Sequence, residues 1–173
     1  MKQQATDNQS DAARLILEHQ AGVWRYLRVL GSSPELAEDL TQETFLAVLQ
    51  RPFTDHGPAA TAAYLRQVAR NLFISHQRRG GRYVLVEDVA EIDEAWDRWA
   101  GKDDGETLLA VLHQCVEGLT ERARLALDLR FRQDRSRSEI AATVELSENG
   151  AKNLLQRAKQ QLRDCIERKI VNG

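Results

Sequence analysis

The chain has 173 residues, 42% hydrophobic and 29% charged, the composition of an ordinary soluble fold with room for one domain or two small ones. A net charge of −2 and a pI near 6.1 argue against a free-standing DNA binder driven by bulk positive charge. No window approaches the roughly 18 apolar residues of a membrane span, and residues 1–11 are polar with no apolar signal core, so the expected placement is cytoplasmic.

Nearly every periodic stretch repeats near 3.6 residues, which predicts an all-α chain. In residues 12–30, Ile16, His19, Val23, Tyr26, Leu27 and Leu30 share one helix face, and Gly31 suits the stop. Ser32 to Glu35 restart a helix, with serine to cap it, proline in its first turn and an acid at its positive end. That helix runs to about residue 50 and is expected to bury Leu36, Leu40, Phe45, Val48 and Leu49. Two prolines and a glycine make 51–58 a loop. A long helix over 59–79 follows, with Leu65, Val68, Ala69, Leu72 and His76 on its inner side, and Gly80-Gly81 ends it.

Residues 82–105 are acidic and show no clean period, so they read as a linker, with a helical turn around Trp96 and Trp99. The run 83–86 (Tyr-Val-Leu-Val) is the one β-prone stretch. Helices are then predicted over 106–117, 121–132, 137–143 and 148–168. The expected organisation is two small helical domains, 12–80 and 106–169, joined by an acidic linker over 81–105. Cys115 and Cys165 stand far apart, outside any C-x-x-C spacing, and read as two reduced packing cysteines.

Charge is strongly segregated along the chain. Residues 32–50 hold four acids and no base, residues 61–82 five arginines and no acid, and residues 83–106 nine acids against Arg98 and Lys102. Opposite blocks point to different partners, or to contact between the blocks.

Three constellations follow. On the second helix, Glu38, Asp39, Gln42 and Glu43 form a carboxylate and amide patch beside an apolar face. It is either an ordinary solvent face or a docking surface for a basic protein helix. On the third, Arg66, Arg70, Phe73 and Gln77 share a stripe that Asn71, Arg78 and Arg79 flank. Guanidinium groups pair with phosphate and aromatic rings stack on unpaired bases, so the stripe suits nucleic acid. The alternative is a solvated face kept soluble by arginine.

The strongest pattern is C-terminal. A short amphipathic segment over 137–143, a four-residue break and a polar, basic helix make a helix-turn-helix, whose second helix enters a DNA major groove. Ala151, Leu154, Leu155, Ala158 and Leu162 line its inner face; Asn149, Lys152, Asn153, Gln156, Lys159 and Arg163 line the outer one. Amides and lysine near the start of such a helix can meet base edges, and the later cations phosphates. A plain helical hairpin is the competing reading. Arg122, Arg124, Arg130, Arg132, Arg135 and Arg137 add positive charge just before it.

Catalytic patterns are missing from the sequence. His19, His56, His76 and His113 are scattered, and there is no H-E-x-x-H, G-x-S-x-G, P-loop or glycine fingerprint. No enzyme, metal or cofactor is expected.

Taken in order, these motifs resemble the extracytoplasmic-function (ECF) sigma factors of the sigma-70 family over about residues 14–168. Ala37-Glu-Asp-Leu-Thr-Gln-Glu-Thr-Phe45 is similar to the family's segment for binding core RNA polymerase. Tyr64-Leu-Arg-Gln-Val-Ala-Arg-Asn71, continuing to Arg79, is similar to its segment for promoter melting and −10 capture. Leu119 to Arg124, Glu139 to Ala141, and Ala151 to Leu162 with Arg157, are similar to its −35-reading domain. The family commonly has glycine where Glu145 stands, proline at Thr120 and arginine at Leu154. The resemblance implies a non-enzymatic promoter-specificity subunit whose partners are core polymerase (the β′ clamp helices and the β subunit) and promoter DNA. It also implies a class often restrained by an anti-sigma factor, and a loop over 51–60 placed to take a flipped base. A stand-alone helix-turn-helix regulator and a protein–protein adaptor are the rival readings.

Overall fold

The computed structural model describes residues 2–51, 53–82 and 86–173, and over these it is entirely helical. Eight helices follow in order: α1 (Lys2–Val29), α2 (Pro34–Leu49), α3 (Pro58–Arg79), α4 (Val86–Trp99), α5 (Glu106–Glu117), α6 (Glu121–Phe131), α7 (Arg137–Thr143) and α8 (Glu148–Ile170). They form two compact units, Met1–Ser75 and His76–Gly173, the division falling in the last turns of α3.

In the first unit α1 packs on α2. Val23, Tyr26, Leu27 and Leu30 from α1, and Ala37, Leu40, Phe45 and Val48 from α2, are all buried. The α1–α2 corner is tight because Gly31 takes φ 103°, letting the Ser32 amide reach back to the Leu27 carbonyl at 3.1 Å. Ser33 then caps α2, its hydroxyl accepting from the Leu36 amide at 3.2 Å. Glu35 in that first turn accepts backbone and Ser33 hydrogen bonds, which hold its carboxyl below the ordinary range. Thr41 and Thr44 turn inward yet stay satisfied, donating to the Ala37 and Leu40 carbonyls.

The second unit is held by two clusters under α8. Ala126 and Leu129 of α6, Ile140 and Ala141 of α7, Val144 of the turn and Ala151 form one. Leu119, Ala123, Leu127 and Ala158 form the other, covered by Phe131 and Leu162. Small residues on α8 let the helices approach closely, and leucines at its flanks close the seam.

Several expectations need correction. The first helix starts at Lys2 rather than residue 12; its first ten residues carry no apolar stripe that would have marked it. Leu49 is 41% exposed rather than buried. The acidic stretch is no irregular linker with a single turn, since 86–99 form a 14-residue helix. Its buried side, Val89, Trp96 and Trp99, is helically spaced. Of the β-prone run, residues 83–85 lie outside the described residues and Val86 opens α4. Finally, Cys115 and Cys165 are joined as a disulfide, with Cα atoms 5.9 Å apart. Packing of α5 on α8 brings them together, which their separation along the chain conceals.

Candidate functional site

On α2, the carboxylates Glu38, Asp39 and Glu43 and the amide Gln42 are all exposed, as the sequence pattern expects. The same face continues toward the C-terminus as Leu46 and Leu49, 59% and 41% exposed. Sequence reading overlooked Leu46. An acidic half-face joined to an apolar half-face has the chemistry of a protein docking site, where solvation alone would favour polar residues throughout.

On α3 the predicted stripe divides. Arg66 and Arg70 are half-buried and engaged by neighbours, while Asn71, Arg78 and Arg79 are exposed. Phe73 and Gln77, expected on the outer stripe, are buried at 3% and 2% exposure. This corrects both: the inward row is Thr61, Leu65, Ala69, Phe73 and Gln77, one residue in four. Phe73 is a core ring, unavailable for stacking on a base, and the Gln77 Oε1 accepts from Arg82 at 3.2 Å.

The loop before α3 supplies a different aromatic surface. Phe53 stacks on Tyr64 with ring centroids 6.0 Å apart and planes 18° apart, and Tyr64 is 40% exposed. Asp55 shapes this loop: its Oδ1 accepts from the Gly57 amide at 2.8 Å and the Thr61 hydroxyl at 3.0 Å. Those two bonds hold its carboxyl below the ordinary range.

The helix-turn-helix is built as its capping residues dictate. Ser136 and Glu139 make a reciprocal capping box at the start of α7. The amide of Ser136 donates to the Glu139 carboxylate at 2.8 Å, which keeps that carboxyl ionised below its usual range. Val144 is buried, Glu145 takes φ 56° to turn the chain, and Ser147 caps α8 through the Gly150 amide at 3.0 Å. Asn149, Lys152, Asn153, Gln156, Arg157 and Arg163 are exposed on α8, and Lys159 is half-buried.

The outer face of α8 is not one uniform surface. Lys152, Gln156, Lys159 and Arg163 fall along one flank; Asn149, Asn153 and Arg157 fall along the other. A groove of about 610 Å³ runs beside the first flank, with Glu87, Asp88 and Glu91 of α4 on one wall and Arg137, Lys152 and Gln156 on the other. Across it the Lys159 ammonium meets Glu91 at 3.1 Å and Asp88 at 3.5 Å, and Arg163 meets Glu91 at 3.0 Å.

Arg130, counted from the sequence among the positive charges just before the helix-turn-helix, is 8% exposed and bound to Asp88, which removes it from any DNA-facing set. Arg135 and Arg132 pair with Glu139 and Asp128 on their own helices or caps. Asp134, at φ 49° and beside Arg82 at 3.7 Å, is the buried acid of this region. Burial pushes its carboxyl above the ordinary range, against the pull of Arg82 and Arg130. Among the described residues, no group of three or more His, Cys, Asp or Glu side chains is gathered as metal ligands would be. Nor is any helix among them long and apolar enough to cross a membrane.

Comparison with known proteins places both units. Residues 15–83 match Sigma-70 region 2 and residues 109–162 match Sigma-70 region 4, together more than half of the chain. The ECF RNA polymerase sigma factor SigE of Mycolicibacterium smegmatis is 30% identical over 159 residues, 88% of this chain and 60% of that protein. SigM of Bacillus subtilis is 29% identical over 149 residues, 86% of this chain and 90% of that protein. BldN of Streptomyces coelicolor is 32% identical over 166 residues, 92% of this chain and 62% of that protein. The chain thus spans about three-fifths of the length of SigE and of BldN, and most of SigM. Two matching regions in the right order, and relatives of one kind, place the chain in the sigma-70 family, among its extracytoplasmic-function members.

Proposed function

We propose that the chain is a promoter-specificity subunit of RNA polymerase, acting in the cytoplasm where polymerase and DNA are found. Its α2 face docks on the β′ clamp helices of core enzyme, with Glu38, Asp39, Gln42 and Glu43 meeting cations and Leu46 covering apolar surface. The second unit lies toward the β subunit and carries α8 to the −35 duplex. There Asn149, Lys152, Asn153 and Gln156 face base edges, and Arg157, Lys159 and Arg163 face phosphates. The exposed cations of α3, with Arg66, Arg70 and Asn71, follow the strand that separates at the −10 element. The Phe53–Tyr64 pair replaces Phe73 as the aromatic surface for an unpaired base.

The energetics are consistent with that division of labour. Opening DNA costs on the order of 1–2 kcal/mol per base step, and stacking returns about 1–3 kcal/mol per base. A chain of net charge −2 gains little from phosphates by itself. Promoter recognition therefore depends on polymerase to hold both units on DNA at once, which raises their effective concentration. No chemical step belongs to the chain; nucleotide addition is polymerase's.

The observation that carries this reading is the coexistence, on one chain, of the exposed acid-and-leucine face of α2 and a separately packed, capped helix-turn-helix. Run-off transcription with purified core polymerase on a pool of genomic promoters tests it. Defined start sites are expected with the wild-type chain and few or none with Asp39→Arg. Failure of the wild-type chain to join core enzyme, or joining without directed initiation, defeats the proposal.

A further inference from the structure

We propose that α4 is a built-in competitor for DNA: its carboxylates occupy cations of α8 that would otherwise meet phosphates. The inference rests on the reading of α8 as the groove helix. It adds that the flank of α8 carrying Lys159 and Arg163 is masked by the chain itself.

Three observations converge. Glu91 accepts from both Lys159 and Arg163, at 3.1 and 3.0 Å, so one carboxylate engages two cations of α8 as a phosphate group would. Asp88, one turn earlier, approaches the same Lys159 at 3.5 Å while holding Arg130. The α4 helix is also anchored rather than merely attracted, because Val89, Trp96 and Trp99 are 5%, 4% and 6% exposed. Its acids are thereby kept at a fixed distance from α8, at high effective concentration.

The acids of α4 are not all placed this way. Glu94 lies on another side, pairing with Arg98 of its own helix at 3.3 Å, and is 73% exposed. Glu91 and Glu94 carry the same charge three residues apart, and only Glu91 touches α8. They form an internal control. A partner offering its own cations to Asp88 and Glu91 would release α8, so DNA affinity would rise on assembly without any change in the helix-turn-helix itself.

The test is fluorescence anisotropy of the full-length chain with a labelled 25-base-pair duplex of mixed sequence, at low salt. Four proteins are compared: wild type, Glu91→Gln, Glu94→Gln and Lys152→Ala. Glu91→Gln is expected to bind about three- to tenfold more tightly, with a salt slope steeper by roughly one to two released counterions. Glu94→Gln, with the same change in net charge, should match wild type. If Glu91→Gln and Glu94→Gln tighten binding equally, only net charge matters and the masking idea is overturned. Should Glu91→Gln bind as wild type while Lys152→Ala weakens binding, masking is again overturned but the groove-helix reading survives. Loss of any effect from Lys152→Ala as well would remove both. Circular dichroism of each variant verifies the fold; Glu91 is partly exposed, and its removal leaves the Arg130–Asp88 pair in place.

Discussion

The Arg130 guanidinium on α6 reaches the Asp88 carboxylate on α4 at 2.8 Å through Nη2 and 2.9 Å through Nε, joining residues 42 positions apart. Their side chains are 8% and 15% exposed, which makes this the most buried ion pair between α4 and the helix-turn-helix unit. Two charges so withdrawn from water attract each other strongly, yet each has lost most of its hydration. The pair as a whole therefore contributes little net stability, whereas breaking it is costly.

Removing one partner exposes that asymmetry. Asp88→Ala takes the directly bonded carboxylate from the buried Arg130, which keeps the Arg135 carbonyl and the field of Asp134, and is expected to cost about 2–4 kcal/mol. Arg130→Met keeps apolar volume at the site, and Asp88 retains Lys159 at 3.5 Å, so a smaller loss is expected. Urea unfolding followed by tryptophan fluorescence compares the two. Equal losses would mean that the pair is not desolvated in solution.

The parts of this architecture that were legible in the sequence are those with punctuation. The α1–α2 corner announces itself through Gly31, Ser33, Pro34 and Glu35, and the helix-turn-helix through the four-residue break 144–147 between two amphipathic segments. Helix α4 has an equally regular apolar row in Val89, Ile92, Trp96 and Trp99. Six acids in 14 residues obscured it, and the stretch looked like a tether. On α3, apolar residues occupy two adjacent rows, so periodicity alone leaves the inner side ambiguous by one row. Tertiary packing chose the row containing Phe73 and Gln77, and Gln77, a polar residue, is one that no hydrophobic count would place inside. The cysteine pairing was illegible because only the packing of α5 on α8 brings Cys115 to Cys165.

Two left-handed backbone positions make opposite predictions. Gly105, at φ 79°, precedes α5 with the Trp96 ring so close that an added Cβ would lie 2.3 Å from it. Gly105→Ala must therefore shift an indole that is 4% exposed. A loss of about 2–4 kcal/mol is expected, from overpacking and the left-handed penalty together. Glu145, at φ 56°, bears that penalty already in the turn of the helix-turn-helix, where the family commonly has glycine. Glu145→Gly relieves it, less the added freedom of the unfolded chain, for a net gain of about 0.5–1 kcal/mol. Chemical denaturation of both variants checks the signs; a destabilised Glu145→Gly would show that the glutamate side chain makes a compensating contact.

The Cys115–Cys165 bond closes a loop of 50 residues from α5 to α8. Cross-linking a loop of that length stabilises by up to about 4 kcal/mol through the unfolded chain. Protein purified without reductant should show no free thiol after denaturation, and reduction should lower its melting temperature. The reduced form should remain folded, because Cys115 is 3% exposed and still packs as a small apolar residue. Two titratable thiols in the unreduced protein would contradict the pairing.

Leu46 separates docking from stability. It is 59% exposed on the same side of α2 as Asp39 and Glu43, and so adds little to the core of its own unit. Leu46→Ala should change stability by under about 0.5 kcal/mol, a shift of at most about 2–4 °C in the melting temperature of a unit this size. If the leucine is covered by polymerase, the same truncation removes apolar contact that forms only in the complex, at about 1–2 kcal/mol, or roughly five- to thirtyfold in Kd. Asp39→Arg should weaken association further, and its effect alone should shrink as salt rises, since charge is screened and apolar burial is not. Binding of core enzyme measured at two salt concentrations distinguishes them. A Leu46→Ala loss that vanished at high salt, or none at either concentration, would move the contact surface off this part of α2.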